Sequence, residues 1–404
     1  MTVRALLGQR AFMLYLAIRV PAQLAAQIQT VAVGAQVYAL THNPLDLGLV
    51  GLSQFLPFLG CVLPAGHLAD RYDRRLIMAG CLLLELICSV ALVGFSAHGL
   101  ASAWPIFAVM MPFGVARALM APASQAVLPN VVPREQFASA VGLNSSLWQF
   151  TTIVGPAIGG YLYAGWGPTV AYAVTALLML LALTAACAMK TPVQDRGDNG
   201  TSWASLVEGL TFVWRRRPVL GALSLDLFAV LFGGAVALLP AYASDVLAVG
   251  PQGLGWLRAA PGVGAALMGL VLTVRPIRQK AGIAMFGGVA VFGVATIVFG
   301  VSRNFALSLA ALSVLGAADM VSVFVRHLLV QLETPDALRG RVGAVSSMFI
   351  GASNELGEFE SGLTAAWWGL EPAVVIGGVL TMMVVVVWMA AFPALRRLDR
   401  FPGH

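Results

Sequence analysis

The chain has 404 residues, of which 59% are apolar and only 10% charged, and its formal net charge is +6. A soluble domain carries about 25% charged residues, so there is too little charge to coat a globule of this size. Low charge excludes disorder, the absence of a Gly-X-Y period excludes a collagen-like chain, and four Cys in 404 residues exclude a disulfide scaffold.

What remains is a polytopic helical membrane protein. Lipid offers no partner to free backbone groups, so only helices and closed barrels span it. The apolar runs are about 20 residues long, the length of a spanning helix and twice that of a barrel strand. Twelve spans are expected, at 12–40, 46–66, 76–96, 102–125, 139–163, 167–189, 218–243, 253–274, 282–301, 304–330, 342–367 and 371–393. Cys61, Cys81, Cys88 and Cys187 all fall inside them and read as small hydrophobes.

In chain order, span 1 is longer than the apolar core of a signal peptide and reads as retained. Its Arg19, Gln23, Gln27 and Thr30 form one polar stripe that must face protein or water. Gly66-His67-Leu68-Ala69-Asp70-Arg71-Tyr72-Asp73-Arg74-Arg75 follows span 2. Span 3 holds Glu85 and span 4 holds Arg117. Span 5 contains Gly155-Pro156-Ala157-Ile158-Gly159-Gly160. There Gly155 and Gly159 let backbones approach closely, and Pro156 permits a bend.

The longest polar interruption, 190–217, divides the chain into a six-span half at 1–189, a linker, a second six-span half at 218–393 and a tail at 394–404. Span 7 holds Asp226, and span 10 holds Asp319, Arg326 and His327. Span 11 holds Glu355, Glu358 and Glu360. Charges at membrane depth are costly, so each is a functional candidate. Glu355 and Glu358 share a helix face, and two carboxylates in low dielectric disfavour double ionisation. These acids are either a proton site or a lock that pairs with arginines. His327 is either a proton relay or a simple hydrogen-bonding group.

Of the 24 Arg and Lys residues, 19 lie in the tails and the loops that are cytoplasmic if both termini are, and only Arg303 lies in an opposite loop. This asymmetry places both termini in the cytoplasm. It also accounts for the positive charge without a nucleic-acid partner. The halves repeat each other. At an offset of 201, Val141-Gly142 meets Val342-Gly343 and Trp166 meets Trp367; at 207, Leu47-Gly48 meets Leu254-Gly255 and Arg19 meets Asp226. Arg19 is therefore expected either to pair with Asp226 in one conformation or to snorkel to the interface. Two parallel repeats are the plan of a secondary transporter that binds its substrate between them.

The segment from Gly66 to Arg75 resembles motif A of the major facilitator superfamily, with Asp73 standing where that motif usually has Gly. The resemblance implies a cytoplasmic gate made by Gly66, Asp70, Arg71 and Arg74. Gly155, Pro156, Gly159 and Gly160 resemble motif C of antiporter-type exporters. Thr334-Pro335-Asp336 with Arg339-Gly340-Arg341-Val342 is similar to the enterobactin-exporter-like, drug:proton antiporter-3 branch. The resemblance implies a monomeric all-α transporter whose spans 1, 4, 7 and 10 line a cavity. Arg19, Gln23, Gln27, Arg117 and Arg326 would then face the substrate. Asp226, Asp319, His327, Glu355, Glu358 and Glu360 are the candidates for proton coupling.

Walker A, HExxH and dinucleotide fingerprints are all absent from the sequence. No cofactor, metal or enzymatic activity is expected, which leaves an ion gradient as the energy source. The expected function is proton-coupled export of a small amphipathic molecule, siderophore-like or drug-like, from a bacterial cytoplasmic membrane. The alternatives are a nutrient symporter on the same fold and a membrane sensor that transports nothing.

Overall fold

The structure is a computed structural model that describes residues 6, 8–189, 203–277, 279–335 and 338–399. Every regular element among them is helical. Helices α1 (Arg10–Thr41), α2 (Pro44–Arg71), α3 (Arg74–His98) and α4 (Trp104–Val131) lead into α5 (Phe137–Ala188). Next come α6 (Trp203–Arg215), α7 (Arg217–Phe232) and α8 (Gly250–Val274). The chain continues through α9 (Ala281–Val301), α10 (Phe305–Glu333), α11 (Arg339–Trp368), α12 (Leu370–Ala391) and the short α13 (Pro393–Arg396).

Local chemistry sets the helix ends. His42 leaves α1 in the left-handed conformation, and its N–H donates to Tyr38 O at 2.8 Å. Asp73 is the N-cap of α3 and accepts the Arg75 N–H at 2.9 Å. The residue that departs from motif A thus satisfies an orphan donor of the next helix. Asn304 caps α10 in the same way through Leu307 N at 3.1 Å. Helix α5 breaks at Gly167, whose φ of 81° suits glycine, and Pro168 starts the second arm. Spans 5 and 6 are these two arms.

Among the described residues, ten helices are long and apolar enough to cross a membrane. One of the ten is α5 with both its arms, and α11 with its carboxylates is not among them. Two details add to the expectation. The interruption at 190–217 contains the helix α6, because its apolar positions recur at helical spacing. Span 7 is a regular helix only to Phe232; beyond Gly233 and Gly234 it becomes a 3₁₀ turn at Ala235–Leu238 and a π turn at Tyr242–Val246.

The chain forms two compact units. Unit 1 holds residues 1–42, 53–201 and 250–255, and unit 2 holds 43–52, 202–249 and 256–404. Each unit thus takes the first residues of one helix from the other half of the sequence, which hydropathy cannot foresee. In unit 2, Gly48 at the start of α2 lies against Gly362 and Phe359 of α11, where an added Cβ would come within 3.1 Å of Phe359 Cα. In unit 1, Gly255 at the start of α8 lies against Pro156 and Gly160 of α5, with an added Cβ 2.6 Å from Pro156 O. Gly48 and Gly255 are equivalent in the internal repeat, so the two exchanged ends use one device.

In unit 1, α1 packs along α5, and α3 lies on α4 and α5. In unit 2, Leu225 and Ala229 of α7, Met285, Phe286 and Val289 of α9, Val325 and Leu329 of α10, and Val385 of α12 share one core. Cys81 and Cys88 are buried as expected of small hydrophobes, Cys61 is half-buried, and Cys187 is exposed. Glycine permits the closest crossing, since a Cβ on Gly316 of α10 would overlap the Pro261 carbonyl of α8. Gly316→Ala is expected to lower stability by about 1–3 kcal/mol through overpacking. Gly80→Ala, where the added Cβ meets open space, is the control and should leave the melting temperature in detergent unchanged or raised.

Candidate functional site

Two groups of buried polar side chains stand out, one in each unit. In unit 2 the centre is an ion pair between Asp226 of α7 and Arg326 of α10, whose side chains are 5% and 3% exposed. The rest of α7 is almost wholly apolar, so its packing on α10 carries Asp226 inward. Asp319 stands seven residues before Arg326, two helical turns away on the same face of α10. The charges acting on it are Asp226 and Arg326. A cavity about the size of one water molecule lies among Asp226, Asp319, Ser322, Ala229, Val230, Val289 and Phe292. Ser322 Oγ and Arg326 Nε are buried and have no hydrogen-bond partner among the described residues. The cluster therefore holds two carboxylates, one guanidinium and unused donors around a small void.

The repeat places Arg19 opposite Asp226. Instead, Asp226 takes its counter-ion from α10 of its own unit, and the Arg19 guanidinium lies over the Trp148 ring at 5.4 Å. A repeat reports equivalent positions, whereas pairing depends on how the helices are rotated. His327 follows Arg326 directly but is exposed on another face of α10, outside the cavity lining.

The acids of α11 separate. Glu358 reaches the start of α2, where a Cβ on Gly51 would lie 2.7 Å from its Oε2. It also acts on Arg258 of α8. Glu355 shares that face, and its carbonyl borders the same glycine. Glu360 lies two residues on, about 200° around the helix, and has the Ser361 hydroxyl as its polar partner. The three glutamates are thus not one cluster. Sequence reasoning does not single out Arg258, whose only signal is a lone arginine in an apolar run.

In unit 1, Glu85 of α3 is 6% exposed, and the cations acting on it are Arg117 and Arg19. Arg117 donates to Gln54 Oε1 at 3.3 Å. Gln29 and Gln36 of α1 are buried, though the expected stripe runs through Gln23 and Gln27. Gln29 Oε1 accepts from Ser89 at 3.0 Å, and Gln36 Oε1 accepts from Tyr172 at 2.8 Å. Gln23 and Gln27 are half-buried, and the Gln27 side chain abuts Gly155. Gly159 faces Ile28, with an added Cβ 3.1 Å from its Cα, while Gly160 faces Gly255. The motif C glycines thus seat α5 on α1 and on the start of α8.

In the motif A segment, Arg75 donates to the Ala186 carbonyl at 3.0 Å and to that of Cys187, which ties α3 to the end of α5. Arg74 is the first residue of α3. Gly66, Asp70 and Arg71 lie in the last turns of α2, and their side-chain surroundings are outside the described part of the structure. Asp336 lies outside the described residues. Among the described residues no three His, Cys, Asp or Glu stand close enough to hold a metal ion.

Removing one partner of a buried ion pair strands the other charge. Arg326→Ala is expected to cost about 3–5 kcal/mol of stability. The double variant Asp226→Asn/Arg326→Gln should cost less than the sum of its single changes. A double-mutant cycle on thermal unfolding of the purified protein measures both.

Comparison with known proteins gives the family. The family model for transmembrane secretion effectors, MFS_3, matches residues 2–402. The enterobactin exporter EntS of Shigella boydii serotype 18 is 26% identical over 374 residues, covering 88% of this chain and 87% of the exporter. EntS of Escherichia coli O1:K1 / APEC matches to the same extent. Among solved structures, a bacterial homolog of the human lysosomal transporter Spinster, inward-facing and unoccupied, superposes with a TM-score of 0.76 at 15% identity, over 98% of this chain and 99% of that one. A POT family transporter in complex with 5-aminolevulinic acid gives 0.76 at 11% identity, over 96% and 97%. The chain belongs to the transmembrane secretion effector family of the major facilitator superfamily, and it is a multi-pass membrane transporter and not an enzyme.

Proposed function

We propose that this transporter is a proton-coupled antiporter that exports a small amphipathic molecule, siderophore-like or drug-like, by alternating access. It would work as a monomer in the bacterial cytoplasmic membrane with both termini in the cytoplasm. The observation that carries the reading is the charge balance around Asp226, Arg326 and Asp319. Two carboxylates facing one guanidinium leave one negative charge in a space about the size of a water molecule. Net charge is expensive there, and a proton is the cation small enough to neutralise it. The proton is held with Asp226 and Arg326 paired, and the site empties when water reaches Asp319.

Export is supported by the motif C glycines and by relatives named as enterobactin exporters. Within unit 1, Arg19 over Trp148 and Arg117 beside Gln54 would supply cationic and aromatic contacts for cargo. Asp319→Asn is expected to abolish efflux driven by a pH gradient in inverted membrane vesicles while leaving energy-independent substrate exchange intact. Equal loss of both activities would remove Asp319 from coupling. Substrate-driven proton entry in the opposite sense would make the protein a symporter.

A further inference from the structure

Helix α6 presents one broad apolar side, part of which is packed on the protein. There, Val213 is buried with Val219 and Leu223 of α7 and Val342 and Val345 of α11. Gly209 lies against the Arg341 backbone, with an added Cβ 3.0 Å from the carbonyl oxygen. Glu208 pairs with Arg341, and just past α6 Arg216 reaches Glu333 of α10 at 3.9 Å. These contacts dock α6 on the end of α11 and on α7.

The remainder of that side has no such cover among the described residues. Val207, Leu210 and Trp214 follow i, i+3, i+7 spacing and are 56%, 43% and 68% exposed. Beside this stripe stand Arg215, Arg216 and Arg217, all exposed. Among the described residues Arg215 and Arg217 have no ion pair. Helix α7, a membrane span, begins at Arg217, two residues after α6 ends. The C-terminal end of α6 is thus held at the membrane surface. An apolar stripe with an interfacial tryptophan and flanking arginines is what a helix lying in the headgroup layer requires.

We propose that α6 is a lipid-binding helix. Its Val207, Leu210 and Trp214 face enters the bilayer surface, and Arg215 and Arg217 bind anionic phospholipid headgroups. The occupant is a lipid surface because the free charges are all positive, and anionic lipid supplies the complement. In the topology proposed above this is the cytoplasmic leaflet. Arg216, just past α6, pairs with Glu333 of α10, which links the headgroup layer to the helix that carries Asp319 and Arg326.

The test uses spin labels on the full-length protein with Cys61, Cys81, Cys88 and Cys187 replaced by Ser. Labels at Val207→Cys and Leu210→Cys are read in phosphatidylethanolamine–phosphatidylglycerol vesicles and in phosphatidylcholine vesicles. In the anionic vesicles, oxygen is expected to collide more often than a water-soluble nickel chelate at both positions. The oxygen-to-nickel ratio at 207 and 210 should fall in phosphatidylcholine. It should fall equally in anionic vesicles when Arg215→Gln and Arg217→Gln are added. Nickel-dominated collisions at 207 and 210 would place that face in water and overturn the proposal. Exclusion of both reagents would mean that protein covers it, and would overturn the proposal as well. A ratio unmoved by headgroup charge and by the arginine changes would overturn the anionic-lipid assignment. The labels report position without reference to transport, so failure here is separable from failure of the antiport reading.

Discussion

A charge inside hydrocarbon must find an opposite charge, a proton or water, because isolation costs several kcal/mol per ion. That constraint organises both units. It explains why Asp226 and Arg326 meet across two helices that are otherwise packed by Leu225, Ala229, Val325 and Leu329. It also explains why Glu85 sits where Arg117 and Arg19 act on it. The apolar core fixes the rotation of each helix, and the rotation decides which charges meet.

Close helix approach is the second theme. Where polar groups are scarce, packing density comes from small residues. Gly155 and Gly159 admit α1 to the surface of α5, and Gly316 admits α8 to α10. The repeat-equivalent Gly48 and Gly255 perform the same service at the exchanged ends of α2 and α8. The sequence similarity between the halves thus has a packing counterpart in each unit.

Much of the fold is legible in the sequence because lipid leaves the chain few choices. Spans 5 and 6 are separable by Gly167 and Pro168, and the acids within spans stand out against apolar runs. The partners of those acids are not legible. Repeat position matches Asp226 with Arg19, yet its ion pair is with Arg326, a contact between helices 100 residues apart in sequence. Gln29 and Gln36 escape notice in the sequence because a polar stripe through Gln23 and Gln27 fits the helical period better. Only the burial of α1 against α3 and α5 shows which glutamines are inside. Helix α6 is hidden for a different reason. Its charged neighbours make 190–217 read as a connector, although its apolar residues recur at helical spacing along one broad side.

The irregular stretch after Phe232 gives span 7 an uneven mechanical character. Up to that residue the backbone is a regular helix holding Asp226; beyond it Gly233 and Gly234 interrupt the winding, and a π turn follows at Tyr242–Val246. The Ala229 carbonyl, one turn past Asp226, accepts from both Gly233 N at 2.9 Å and the Thr381 hydroxyl at 3.2 Å. A rod that is stiff through its charged turn and uncoiled just above it concentrates its compliance at one joint. Torque arising at the buried carboxylate would be absorbed within two turns rather than transmitted along the whole length of the segment.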